Sequence, residues 1–126
     1  MIKEFKAFVV REKMNDVFSR KIETKKFEEL PNNEVTIKVK YSSLNYKDAL
    51  SSLGNKGVTK LYPHTPGIDA SGIVISSSNK KFHEGDQVIV TGYDLGMNTP
   101  GGFSEYIRVP SDWVIKLPET ISLKYA

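Results

Sequence analysis

The chain has 126 residues, 39% hydrophobic and 26% charged, with a net charge of +3 and no cysteine, which suits one globular domain with its own core. The missing cysteine excludes a disulfide scaffold, a cysteine nucleophile and any Cys-based zinc site, and no apolar run has the length of a signal peptide or a bilayer span, so the chain reads as cytoplasmic and off the membrane. Its basic excess is lysine dispersed among glutamates, as in Lys25-Lys26-Phe27-Glu28-Glu29, with arginine at Arg11, Arg20 and Arg108; this describes a solvated surface and not a nucleic-acid patch.

The pattern along the chain is strand after strand. Phe5 to Val10 is a first predicted strand, and Val17 to Thr24 a second. Leu30-Pro31-Asn32-Asn33-Glu34 is a turn, because proline fixes φ and asparagine tolerates left-handed geometry. Val35 to Ser42 then alternates, with Val35, Ile37, Val39 and Tyr41 expected on one face. Asn45 to Leu53 is the expected helix: Asn45 can cap it, Asp48 stands in its first turn where a carboxylate suits the dipole, and Gly54 can close it. An irregular stretch follows to Pro66. Strands are expected over 67–75, 87–90, 103–109 and 113–117, with a glycine-rich loop from Gly92 to Gly102. Many short strands at this spacing predict an antiparallel barrel or sandwich.

The last residues, Ser122-Leu123-Lys124-Tyr125-Ala126, read as the start of a helix, with Ser122 as N-cap. So short a helix does not hold itself together in water. Residues 1–121 are therefore expected to form the domain, and 122–126 the start of a connection to a further one.

The order of landmarks is similar to that of a known family. These are Val35 to Val39, Ser43-Leu44-Asn45-Tyr46-Lys47-Asp48, Pro66-Gly67-Ile68-Asp69-Ala70-Ser71-Gly72-Ile73-Val74, Phe82 to Val88, and Gly101-Gly102-Phe103-Ser104-Glu105-Tyr106. Together they resemble the GroES-like N-terminal domain of the medium-chain dehydrogenase/reductase superfamily. Within it the chain is most similar to the zinc-free branch of YhdH/YhfP-type quinone oxidoreductases and acrylyl-CoA reductases. The resemblance implies a mainly β, GroES-like, partly open barrel with one or two short helices, lacking the Rossmann domain that full-length members carry. No G-x-G-x-x-G follows a strand and opens a helix in this chain.

The resemblance also implies an activity. The intact protein is expected to be an NADPH-dependent, zinc-independent oxidoreductase that reduces the C=C bond of an α,β-unsaturated carbonyl, such as an acrylyl-CoA-like thioester, or a quinone. It is expected to work as a homodimer whose contact surface lies in the other domain, and this chain alone is expected to be inactive. Zinc enzymes of the superfamily carry Cys near the position of Asn45 and Gly-His-Glu near Gly67-Ile68-Asp69. Without cysteine, and with only His64 and His83, the donor set for catalytic zinc is missing.

Individual residues carry two readings each. Asn45 is an N-cap, and by resemblance a polar contact near the nicotinamide or substrate. Tyr46 is a half-buried aromatic with a satisfied hydroxyl, or by resemblance stands beside the cofactor and donates to the substrate carbonyl. A phenol is a weak acid at neutral pH, which argues against Tyr46 as proton donor. Asp48 complements the helix dipole, and by resemblance organises the cofactor site. Asp69 holds a site loop or serves a turn. Lys47 and His83 read as solvated, His64 as a loop histidine and Trp113 as core. Tyr93 and Met97 are placed at a substrate mouth by position only. The competing function is a standalone GroES-like binding module of co-chaperonin type, but no mobile hydrophobic loop supports it.

Overall fold

In the computed structural model, which describes residues 3–125, the chain starts as a long hairpin. Strand β1 (Glu4–Met14) pairs antiparallel with β2 (Val17–Lys26). Asp16 turns the hairpin at φ 60°, a left-handed conformation that aspartate tolerates better than most residues. Both strands run beyond their predicted ends, and the Arg11 guanidinium grips Glu23 across the ladder at 2.8 and 2.7 Å.

The remaining strands form a second sheet. Strand β3 (Val35–Ser42) leads to helix α1 (Tyr46–Ser52), and β4 (Ala70–Ser77), β5 (Gln87–Val90), β6 (Tyr106–Val109) and β7 (Val114–Lys116) follow. The order is β6-β3-β4-β5-β7, every neighbour antiparallel. The hairpin joins this sheet through Phe103–Glu105, where Phe8 N–H donates to Phe103 O at 2.8 Å and Glu105 N–H to Lys6 O at 3.0 Å. That junction is why β6 begins at Tyr106 and not at Phe103. The architecture is mainly β with one short α-helix, as the motifs implied.

Two apolar clusters fill the interior. Val35, Ile37, Val74, Val88, Val90, Leu95, Ile107 and Val109 form the larger one. Phe5, Ala7, Val9, Leu30 and Tyr106 form the other under the hairpin, with Phe5, Phe27 and Tyr106 in edge-to-face contact. Tyr41 departs from the expected alternation and is 48% exposed. The β3–β4 register shifts between Val39 and Tyr41, and an extra residue on one strand breaks the two-residue period. At the C-terminus the chain makes a 3₁₀ turn, Leu123–Tyr125, while the expected continuation of that helix at Ala126 lies outside the described residues.

One buried carboxylate joins α1 to the rest. Asp48 is 2% exposed. Its Oδ2 accepts the Asn45 N–H at 2.9 Å, closing the first turn of the helix. Its Oδ1 accepts the N–H groups of Gly67 at 3.1 Å and Ile68 at 2.9 Å. Those two amides cannot then join a ladder, so β4 starts at Ala70 and not at Gly67. Gly67 has φ +116°, and a Cβ there would come within 2.6 Å of Gly102 N; only glycine fits. The loop is sealed from behind by Gly101 N–H on Thr65 O at 2.8 Å and Phe103 N–H on Pro66 O at 3.0 Å.

The far end of α1 is held too. Leu53 is the C-cap, and Gly54 follows at φ +90° against the Phe18 ring. Arg20 donates to Ser52 O at 2.9 Å and the Tyr62 hydroxyl to Ser51 O at 2.7 Å, so two carbonyls of the last turn accept side-chain donors. His64 is a buried strut here rather than a free loop residue. It bridges to Val10, and its Nε2 lies 2.8 Å from Gly96 O.

Removing Asp48 takes the acceptor from three backbone N–H groups, so Asp48→Ala is expected to cost about 2–4 kcal/mol in chemical denaturation, and Asp48→Asn less. A change within about 0.5 kcal/mol for Asp48→Ala contradicts that assignment. His64 gives a pH dependence. Burial holds its imidazole below the ordinary value of 6.5, so the unfolded chain binds a proton that the folded chain resists. Stability from this group is complete above 6.5 and is lost as the pH falls below it. The thermal midpoint should therefore drop between pH 7.5 and 5.5, and His64→Gln should flatten that drop.

Candidate functional site

The antiparallel order of β3, β4 and β5 brings the end of β3, the start of β4 and the end of β5 to one edge. Ser42 pairs with Ala70, and Ala70 with Val90. The next residue on each strand is polar: Ser43, Asp69 and Thr91. Asp69 Oδ2 accepts the Ser43 hydroxyl at 3.0 Å, and Asp69 Oδ1 accepts the Thr91 hydroxyl. The carboxamide nitrogen of Asn45 turns toward the same group, 2.9 Å from Ser43 Oγ, 3.1 Å from Asp69 Oδ2 and 3.4 Å from Asp48 Oδ2.

Beside this polar edge lies an open, mostly apolar groove of about 640 Å³. Phe8, Leu44, Ala49 and Phe103 supply its apolar surface, and Ser42, Asn45 and Ser52 its polar points. The Phe8 and Phe103 rings meet edge to face at 6.3 Å. Asn45 therefore stands between a hydrogen-bonded polar cluster and an apolar channel. Such a site can orient a molecule with a polar reacting end and an apolar body.

The structure separates the sequence candidates. Asn45 is partly buried at the N-cap of α1 and faces the cluster. Tyr46, first residue of the helix, is 79% exposed, not half-buried, and its hydroxyl has no hydrogen-bond partner among the described residues. Asp48 is buried, with both carboxylate oxygens on backbone N–H groups. Asp69 is the hub of the cluster. Lys47 and His83 are exposed, as expected. Tyr93 and Met97 do not line the groove; Tyr93 stacks on Trp113 with ring centroids 5.6 Å apart. Trp113 packs against the main core, partly buried.

Four contributors had no local signal. Phe8 and Phe103 lie 95 positions apart, so their meeting depends on the junction of hairpin and sheet. Ser43 and Thr91 are ordinary loop residues until the register sets them beside Asp69. Among the described residues no three or more of His, Cys, Asp and Glu are grouped so as to hold a metal ion. Nor is any helix among them long and apolar enough to cross a membrane.

Residues 31–119 match the family model described as the alcohol dehydrogenase GroES-like domain. Acrylyl-CoA reductase AcuI of Ruegeria pomeroyi is 42% identical over 98 residues, which cover 78% of this chain and 30% of that protein. The crystal structure of the yhdH oxidoreductase of Salmonella enterica in complex with NADP superposes with a TM-score of 0.90 at 36% identity, covering 95% of this chain and 37% of that one. The crystal structure of Bacillus subtilis yhfP with NAD bound also gives 0.90, at 44% identity, covering 96% and 36%. The chain thus spans about a third of the length of the relatives it matches. The chain belongs to the alcohol dehydrogenase GroES-like domain family, and over that domain it is similar to proteins named quinone oxidoreductase and acrylyl-CoA reductase.

Proposed function

We propose that this chain is the acceptor-side domain of an NADPH-dependent, zinc-independent reductase. Its substrate is an α,β-unsaturated carbonyl compound of the acrylyl-CoA kind, or a quinone. The observation that carries this reading is the position of Asn45, which lines the apolar groove of Phe8, Leu44 and Phe103 and is followed in the chain by the exposed Tyr46. The named activity of a relative and the NADP in a related structure support the choice of acceptor and cofactor.

The donor set fits the nicotinamide end of such a cofactor and not its phosphates. The Asn45 side-chain amide lines the groove and the Tyr46 phenol beside it in the chain is exposed, while no glycine-rich phosphate loop occurs in the sequence. Residues outside this domain would hold the phosphates, so the chain alone binds the cofactor weakly and does not turn over. The nicotinamide, when bound, supplies the hydride. The groove takes the apolar part of the acceptor and excludes water from it. Negative charge grows on the acceptor's carbonyl oxygen during the reduction, and the Tyr46 hydroxyl donates a hydrogen bond to it. Asn45 fixes the reacting plane, and Asp48 holds Asn45 by its backbone. The same reading makes the full-length protein a cytoplasmic homodimer.

Tyr46→Phe and Asn45→Ala in the full-length protein test this reading, with acrylyl-CoA and quinones assayed against NADPH. Loss of one such donor typically lowers kcat by about 10²–10³-fold. If neither substitution changes turnover, the residues assigned to the site are wrong.

A further inference from the structure

We propose that Asp69 is a positioning residue that sets the orientation of the Asn45 carboxamide and locks it to the ends of β3 and β5. The inference rests on the reading of Asn45 as a residue of the reductase site. Its ground is the pattern of donors. A carboxylate only accepts hydrogen bonds, and an amide NH₂ only donates them. Asn45 Nδ2 meets Asp69 Oδ2 at 3.1 Å, and the Ser43 hydroxyl meets the same oxygen at 3.0 Å. The Ser43 oxygen also lies 2.9 Å from Asn45 Nδ2, so Asn45, Ser43 and Asp69 close a triangle. The other oxygen of Asp69 receives the Thr91 hydroxyl from the end of β5.

Asp48 cannot replace Asp69 in this role. Its contact with Asn45 Nδ2 is the longest of the three, at 3.4 Å, and its oxygens already receive three backbone N–H groups. Asp48 therefore fixes where the Asn45 backbone lies, and Asp69 fixes which way its amide faces. An amide in place of the Asp69 carboxylate brings N–H groups of its own to a cluster that needs acceptors. The Asn45 amide is then free to turn over. A neighbour that misplaces a reacting group in this way acts on turnover more than on folding.

A double-mutant cycle in the full-length protein reads the coupling. Asp69→Ala is expected to lower kcat with acrylyl-CoA and NADPH roughly tenfold to hundredfold when Asn45 is present. With Asn45→Ala in place, the same substitution is expected to change kcat less than about twofold. Equal factors in both backgrounds overturn the proposal. If Asp69→Ala does not fold, Asp69→Asn takes its place at nearly equal volume. A second readout does not depend on turnover. With ¹⁵N-asparagine labelling, the side-chain NH₂ signals of Asn45 should shift in Asp69→Asn while the backbone signal of Asn45, held by Asp48, stays. Unchanged NH₂ signals overturn the proposal whatever the activity. Asn45→Ala with normal turnover, beside shifted NH₂ signals, would instead remove the reductase role of Asn45 and leave the positioning by Asp69 standing.

Discussion

The Asp48 carboxylate is the contact on which the site depends. A seven-residue helix has no stability of its own. Here its first turn is closed by a carboxylate that also receives the backbone of the Gly67–Ile68 loop. The group is buried, so water cannot replace any bond that is lost. The loop it grips exists only because Gly67 can take φ +116° while pressed on Gly102. Carboxylate and glycine therefore form one device: one supplies the acceptor and the other makes the donors reachable.

From that anchor the site follows in two layers. The helix start sets Asn45 beside Asp69, and antiparallel register delivers Ser43 and Thr91 to the same carboxylate. The hairpin supplies the apolar side through Phe8, which meets Phe103 because the 103–105 segment bonds to β1 before it joins the sheet. Polar orientation and apolar capacity thus come from different sheets and meet at Asn45.

Several of these features are legible in the amino-acid sequence. Asn45 as helix start, Asp48 at the third helical position and Gly54 just past the C-cap obey rules that act within a few residues, and each is in place. The ordered motifs likewise point to the GroES-like fold. Other features are not legible there. Tyr41 loses its alternation to a bulge that no local residue type signals. Tyr46 reads as an aromatic with a partner, yet it stands exposed on the first turn of the helix. His64, with polar and proline neighbours, gives no sign that β1 and Gly96 bury it.

The division has a physical origin. Local hydrogen-bond geometry and side-chain sterics are short-ranged, so strand alternation, helix caps, turn residues and the absence of sulfur ligands could be read from the sequence alone. Which carboxylate holds the helix to its loop, which one gathers Ser43, Asn45 and Thr91, and that Phe8 meets Phe103 are consequences of register and sheet order. Those depend on contacts between residues as much as 99 positions apart, as at Lys6 and Glu105. Such contacts form only when the whole core closes, and only the tertiary structure decided them.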